Sequence, residues 1–192
     1  SSPPNIINYF DTLIIRDDIR KVRKVNPDFI IACIHWGNEY QREPDETQRS
    51  IARFLIKEGV NAIIGSHPHV IQPVEVQYNG TDSSDYRLVV YSLGNFISNQ
   101  RERYRDGGIM IRMELTKTHK TMITDYSYLP VWVQKPVIYG NTRFRLIPAN
   151  LTDTENKLLK LTNEEMERMD QFYNDTRTHL NNIKESRFPI RY

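Results

Sequence analysis

Hydrophobic positions change their period several times along the chain, and each change predicts an element. From Asp17 to Val25, Ile19, Val22 and Val25 recur at helical spacing among basic residues and stop before Asn26-Pro27. Because a residue before proline is pushed out of the helical region, this pattern predicts a short amphipathic helix. Phe29-Ile30-Ile31-Ala32-Cys33-Ile34 is an uninterrupted apolar run, β-branched in half its positions. A run without alternation predicts a strand covered on both faces, as in parallel sheets. Pro44-Asp45-Glu46-Thr47 then supplies an acidic first turn, Ile51, Phe54, Leu55 and Ile56 an apolar face, and Lys57 and Gly59 a C-terminal stop, which together predict a helix. Ala62-Ile63-Ile64 follows as a second apolar strand. Strand, helix and strand make a βαβ unit, whose parallel strands deliver their carboxyl ends to one edge of a sheet.

After Gln72 the period becomes that of half-exposed strands. Val74–Tyr78 and Arg87–Tyr91, on either side of the turn-rich Asn79–Asp85, predict a hairpin with a long loop, extended by strands at Ile109–Leu115 and Tyr126–Val133. From Asp153 to Tyr192 the chain becomes strongly charged. Leu158, Leu161, Met166, Met169, Phe172 and Tyr173 recur there at roughly helical spacing, predicting one or two amphipathic helices. The expected class is α/β, with residues 1–150 part of one domain and 151–192 a charged helical tail.

Composition narrows the function classes. A chain of 192 residues and 22.7 kDa accommodates one domain, or a small domain and an appendage. Hydrophobic residues make up 39%. Counting Gly in place of Tyr lowers the figure further, below the roughly 45–50% of compact domains, so a thin core is expected. A formal net charge of +2 lacks the basic excess of a nucleic-acid binder, and no nucleic-acid partner is expected. No apolar run approaches the roughly 18 residues of a membrane span. The single cysteine, Cys33, forms no internal disulfide. Ser1-Ser2-Pro3-Pro4 resembles neither a signal peptide nor a native start, so the chain is expected to be a piece of something longer.

Chemistry concentrates at the predicted sheet edge. Of the five histidines, His35 follows the first strand directly, and His67 and His69 follow the second. Ligands of open α/β sheets bind beyond the carboxyl ends of the strands. Pro68 biases His67 toward an extended conformation, in which residues two apart point the same way, so the rings of His67 and His69 are expected to face one point. Adjacent strands lie about 4.8 Å apart, which brings His35 within reach of the pair. Clustered imidazoles favour zinc, iron, manganese or nickel over calcium or magnesium. This convergence outweighs the alternative of a plain surface turn, and His35, His67 and His69 are read as metal ligands. Neutral rings leave a dication uncompensated, and the nearest carboxylates are those of Glu39, Glu43 and Asp45. Cys33 shares a strand face with His35, but its apolar neighbours predict an inert core thiol. Ser66 lacks the glycine setting of a hydrolase elbow, and the Asn-x-Thr triplets at Asn79, Asn150 and Asn174 carry no information without secretion.

Several ordered motifs are also familiar. His35-Trp36-Gly37-Asn38-Glu39-Tyr40, then Gln48-Arg49 and Ala52, Gly65-Ser66-His67-Pro68-His69-Val70 with Gln72-Pro73 and Glu75, and Tyr91-Ser92-Leu93-Gly94-Asn95-Phe96 together resemble the CapA-type capsule synthesis family. That family is associated with poly-gamma-glutamate biosynthesis and belongs to the calcineurin-like metallophosphoesterase superfamily. The likeness is dense from about Asp28 to Gly108 and faint beyond. It implies the C-terminal portion of a metallophosphoesterase sandwich, in which His35, His67 and His69 correspond to the last three of an ordered Asp, His, Asp, Asn, His, His, His ligand set for two metal ions. The first four would lie before Ser1. Asn61 stands where relatives often carry Asp.

The implied parent is a capsule biosynthesis or export protein of the cell envelope, with a hydrolytic centre using manganese, iron or zinc, or else a noncatalytic assembly or transport scaffold of the same machinery. Glu39, Tyr40 and Asn95 would support the ligating histidines or face substrate, against a reading as local turn structure. Arg101, Arg103 and Arg105, beside Gly107-Gly108, would form a rim attracting phosphate or polyglutamate carboxylates, against a reading as a solvated loop. The partners implied are an anionic substrate, the upstream half of the parent domain and, across a truncated sheet edge, a second copy of the chain. The 192-residue chain is itself expected to bind metal weakly and to have no appreciable phosphatase activity.

Overall fold

The computed structural model describes residues 10–78, 85–152, 155 and 158–187. The polar lead at 1–9, the hairpin loop at 79–84 and parts of the charged C-terminal stretch lie outside the described residues. Helix α1 (Thr12–Lys24) begins ahead of the periodicity that starts at Asp17, because the Asp11 carboxylate accepts from the amides of Leu13 at 2.8 Å and Ile14 at 3.3 Å and so caps an earlier turn. Strand β1 (Ile31–His35), helix α2 (Glu46–Lys57) and strand β2 (Ala62–Ser66) form the expected βαβ unit, with His35 in register with Ser66. Strands β3 (Val74–Tyr78) and β4 (Tyr86–Val90) are the expected antiparallel hairpin. β4 also pairs in parallel with β2, giving the order β1-β2-β4-β3. Three parallel strands therefore end at one edge.

The next strands do not extend this hairpin. β5 (Gly107–Lys117) and β6 (Thr121–Gln134) pair with each other, and β9 (Arg145–Pro148) pairs with β6, to form a second sheet. Two short strands, β7 (Val137–Ile138) and β8 (Asn141–Thr142), make a small ribbon between them. An isolated bridge between Gly94 and Gly108 joins the second sheet to the chain leaving β4. β6 is not half-exposed as expected: every residue from Ser127 to Gln134 is buried, because β9 flanks it and helix α3 (Asn163–His179) packs against it.

Two apolar clusters flank the first sheet. Ile19 of α1 and Ile51, Ala52 and Leu55 of α2 meet Ile63, Val89 and Tyr91 in one of them. In the other, Val74, Leu88 and Val90 meet Ile109, Tyr128 and Trp132 of the second sheet and Met169 and Phe172 of α3. The helix expected in a charged tail is thus part of the core; its charged face is its solvated one. β1 departs from expectation too. Ile31, Cys33 and His35 are exposed while Ala32 and Ile34 are half-buried, because β1 is the edge strand and only one of its faces is covered. The inert core thiol expected at Cys33 is instead an exposed one. Among the described residues no helix is long and apolar enough to cross a membrane.

Candidate metal centre

The chain segments leaving β1, β2 and β4 are tied together directly beyond the sheet. The Trp36 amide donates to the Ser66 carbonyl at 3.1 Å, the Leu93 amide to the Gly65 carbonyl at 3.2 Å, and the Tyr40 amide to the Pro68 carbonyl at 2.7 Å. The buried Trp36 indole donates from Nε1 to the Tyr91 carbonyl at 2.8 Å and stacks on the Tyr91 ring. Gly65 permits this approach, since a Cβ there would run into the Tyr91 carbonyl and the Trp36 indole nitrogen. Burial pushes the Tyr91 phenol up to about 12, so it stays a neutral donor to Glu75 Oε2.

A buried pair of glutamines sets the loop from Gly37 to Asp45. Gln48 Nε2 donates to Gln72 Oε1 at 2.9 Å, and Gln72 Nε2 donates to the carbonyls of Gln41 at 2.8 Å and Glu43 at 3.2 Å. Gln48 Oε1 in turn accepts from the Asp45 amide at 3.1 Å, closing a capping box on α2. Neither glutamine stood out in the sequence beyond the family motifs, because nothing local distinguishes a buried amide from an exposed one.

His67 and His69 converge, but not by the expected route. Their φ angles are 102° and 58°, so the turn around Pro68 runs through positive-φ backbone rather than an extended chain. Such conformations cost non-glycine residues on the order of 1–3 kcal/mol each and persist where the surroundings enforce them, often at functional sites. The ring centroids of His67 and His69 are 6.1 Å apart, and those of His35 and His67 4.3 Å apart. Glu39 Oε1 lies 3.7 Å from His69 Nε2. Ligand atoms of Glu39, His67 and His69 all fall within 4.8 Å of one another, close enough to hold one ion. A carboxylate beside two imidazoles is a donor set suited to zinc, iron or manganese, and the carboxylate supplies the negative charge that histidines alone lack. Glu39 therefore stands among the rings rather than behind them, and His35 stands beside His67.

Asn95, only 7% exposed, reaches His69: its Oδ1 is 2.9 Å from His69 Nδ1. Its Nδ2 donates to the Arg105 carbonyl at 2.7 Å and to Gln100 Oε1 at 3.0 Å, and Gln100 Nε2 donates to the Tyr40 hydroxyl at 3.3 Å. The Tyr40 ring centroid is 6.1 Å from that of His69. Asn95 and Tyr40 thus belong to one network with His69, in which Gln100 is a member the sequence did not reveal.

The three arginines separate. The Arg105 guanidinium lies 3.5 Å from the Tyr40 ring centroid, at the site. Arg103 makes a two-pronged contact with Asp175 of α3 at 2.8 and 2.9 Å. Arg101 donates to the Val133 carbonyl at 2.5 Å and lies over Trp132. These last two clasp the loop to α3 and β6 and do not form the expected rim, because each has an intramolecular partner that satisfies its charge or its donors.

Residues 3–100, just over half of the chain, match the family described as bacterial capsule synthesis protein PGA_cap. The chain is 41% identical over 88 residues to the PGA biosynthesis protein CapA of Bacillus subtilis (strain 168), covering 45% of this chain and 21% of that protein. It is 36% identical over 141 residues to the capsule biosynthesis protein CapA of Bacillus anthracis, covering 71% of this chain and 32% of that protein. The chain thus spans about a fifth to a third of the length of these relatives. The family match takes in every residue from His35 to Asn95.

Proposed function

The chain belongs to the bacterial capsule synthesis protein PGA_cap family, and from that premise we propose that it carries the metal-binding edge of a phosphoesterase-like hydrolytic centre in a capsule, poly-gamma-glutamate, biosynthesis or export protein of the cell envelope. The observation that carries this reading is the approach of Glu39, His67 and His69 ligand atoms to within 4.8 Å of one another at the carboxyl ends of parallel strands. In this reading the framework is calcineurin-like. Glu39, His67 and His69 hold a divalent transition metal, His35 stands ready for a second ion, and the further donors of a dinuclear centre come from residues outside this chain.

When bound, such an ion supplies Lewis acidity toward a phosphoryl or carboxylate oxygen. The chain's own residues do the rest. His67 and His69 present ring nitrogens and Glu39 a carboxylate to the ion, and Arg105, held on the Tyr40 face, offers a cation to an anionic substrate.

Calorimetric titration with zinc tests the reading. The 192-residue protein is expected to bind one equivalent, and the His67→Ala/His69→Ala variant to lose that binding while keeping its fold by circular dichroism. Equal zinc affinity in both proteins would sink the metal centre. In the whole protein, metal-dependent phosphoester hydrolysis should fail in the same variant; capsule formation that survives it would favour the noncatalytic scaffold.

A further inference from the structure

The contacts of Asn95 determine more than its position. From shape alone, the amide oxygen and nitrogen of an asparagine are interchangeable, and so are the two protonation sites of a neutral imidazole. Here the neighbours decide. One end of the Asn95 amide faces the Arg105 backbone carbonyl at 2.7 Å, and a carbonyl only accepts, so that end is the NH2 group. Gln100 is consistent with this assignment: its nitrogen donates to the Tyr40 hydroxyl, which turns its oxygen to accept from Asn95 at 3.0 Å. The other end, facing His69 Nδ1 at 2.9 Å, is then Oδ1, which also only accepts. A hydrogen bond across that gap requires the proton to sit on Nδ1. The remaining nitrogen, Nε2, lies 3.7 Å from Glu39 Oε1 and, in the neutral ring, carries the lone pair. A carboxylate facing that lone pair is a second donor for whatever cation the pair shares.

We propose that Asn95 is a positioning residue that locks His69 in the Nδ1–H tautomer, so that Nε2 is the nitrogen left to act as an electron-pair donor beside Glu39 and His67. The lock is anchored in backbone, through the Arg105 carbonyl, and therefore does not depend on the conformation of an exposed side chain. A ligating histidine needs its second nitrogen oriented in this way, and partners that orient it typically change metal affinity about 10- to 100-fold. The use made of the bare nitrogen rests on the metal-centre reading above; the tautomer itself does not.

The test is a long-range proton–nitrogen NMR correlation of the metal-free, nitrogen-15-labelled protein at about pH 8, above the ordinary histidine range. The wild-type His69 ring is expected to show a protonated Nδ1 and a bare Nε2. Asn95→Ala should shift the ring toward the Nε2–H form and weaken zinc binding about 10- to 100-fold. A wild-type ring protonated on Nε2, alone or together with Nδ1, overturns the proposal. So does an unchanged tautomer in folded Asn95→Ala. Should Asn95→Ala fail to fold, the wild-type spectrum still decides. Absence of zinc binding by a wild-type protein whose His69 is the Nδ1–H tautomer would remove the metal reading and leave the lock standing.

Discussion

His67 and His69 meet because the backbone around Pro68 turns through positive φ at both of them. A glycine at either position would relieve the steric conflict between Cβ and backbone, yet the residues there carry imidazoles. The strain can be measured apart from the ring. His67→Ala and His67→Gly both remove the imidazole and differ in whether a Cβ must sit at φ 102°. His67→Gly is expected to be more stable than His67→Ala by about 1 kcal/mol in chemical denaturation; the reverse order would mean the turn is unstrained. The residue identities at this site were legible in the sequence, since three histidines directly after two apolar strands are a local pattern. The turn conformation was not legible, because the bias that Pro68 exerts toward extended structure is overridden by the Tyr40 amide bonding the Pro68 carbonyl from a distant loop.

At the scale of elements, α2 is the best defined by local signals. Asp45 accepts from the Gln48 amide at 2.8 Å, with an acidic first turn and Lys57 in the last. Its capping box also reaches the site, because the Gln48 side chain that closes the box bonds buried Gln72, which holds the loop carrying Glu39 and Tyr40. Asp45→Ala should cost about 1 kcal/mol through the lost cap. Gln48→Ala strips a buried partner from Gln72 as well and should cost more, about 1–3 kcal/mol, with a measurable fall in zinc affinity as the loop loosens. Equal losses in thermal unfolding would show that the glutamine pair contributes nothing beyond the cap. β1 departs from its sequence pattern at this scale. Its unbroken apolar run is the pattern of a strand covered on both faces, but exposure is set by what packs over each face, and at the edge of the sheet only one face of β1 is covered.

For the whole molecule, the second sheet and α3 position the site from behind. Gly108 begins this link: its bridge to Gly94 and the Ile109 amide bonding the Leu93 carbonyl at 2.8 Å join β5 to the segment that presents Asn95. A Cβ at Gly108 would press on the carbonyls of Leu93 and Asn95. Gly108→Ala is therefore expected to destabilise the fold by about 1–3 kcal/mol and to weaken zinc binding by displacing Asn95, as read by thermal unfolding and calorimetry. Unfolding without any change in the zinc affinity of the folded protein would show that the two sheets act independently. Arg101 and Arg103 serve the same coupling, fastening the loop after Asn95 to β6 and α3.

What the sequence alone determined is whatever depends on neighbours along the chain. The βαβ unit, the hairpin, the helix limits of α2 and the gathering of His35, His67 and His69 at one strand edge all follow from periodicity, caps and connectivity within a few dozen residues. Tertiary structure alone decided the rest: the second sheet, the burial of β6, the exposure of β1, the placing of Glu39 among the rings and the allocation of each arginine. The physical reason is that these depend on which distant groups satisfy a donor, a charge or an apolar face. Gln48 with Gln72, Arg103 with Asp175 and Asn95 with the Arg105 carbonyl are pairings that only a packed chain brings within hydrogen-bond range.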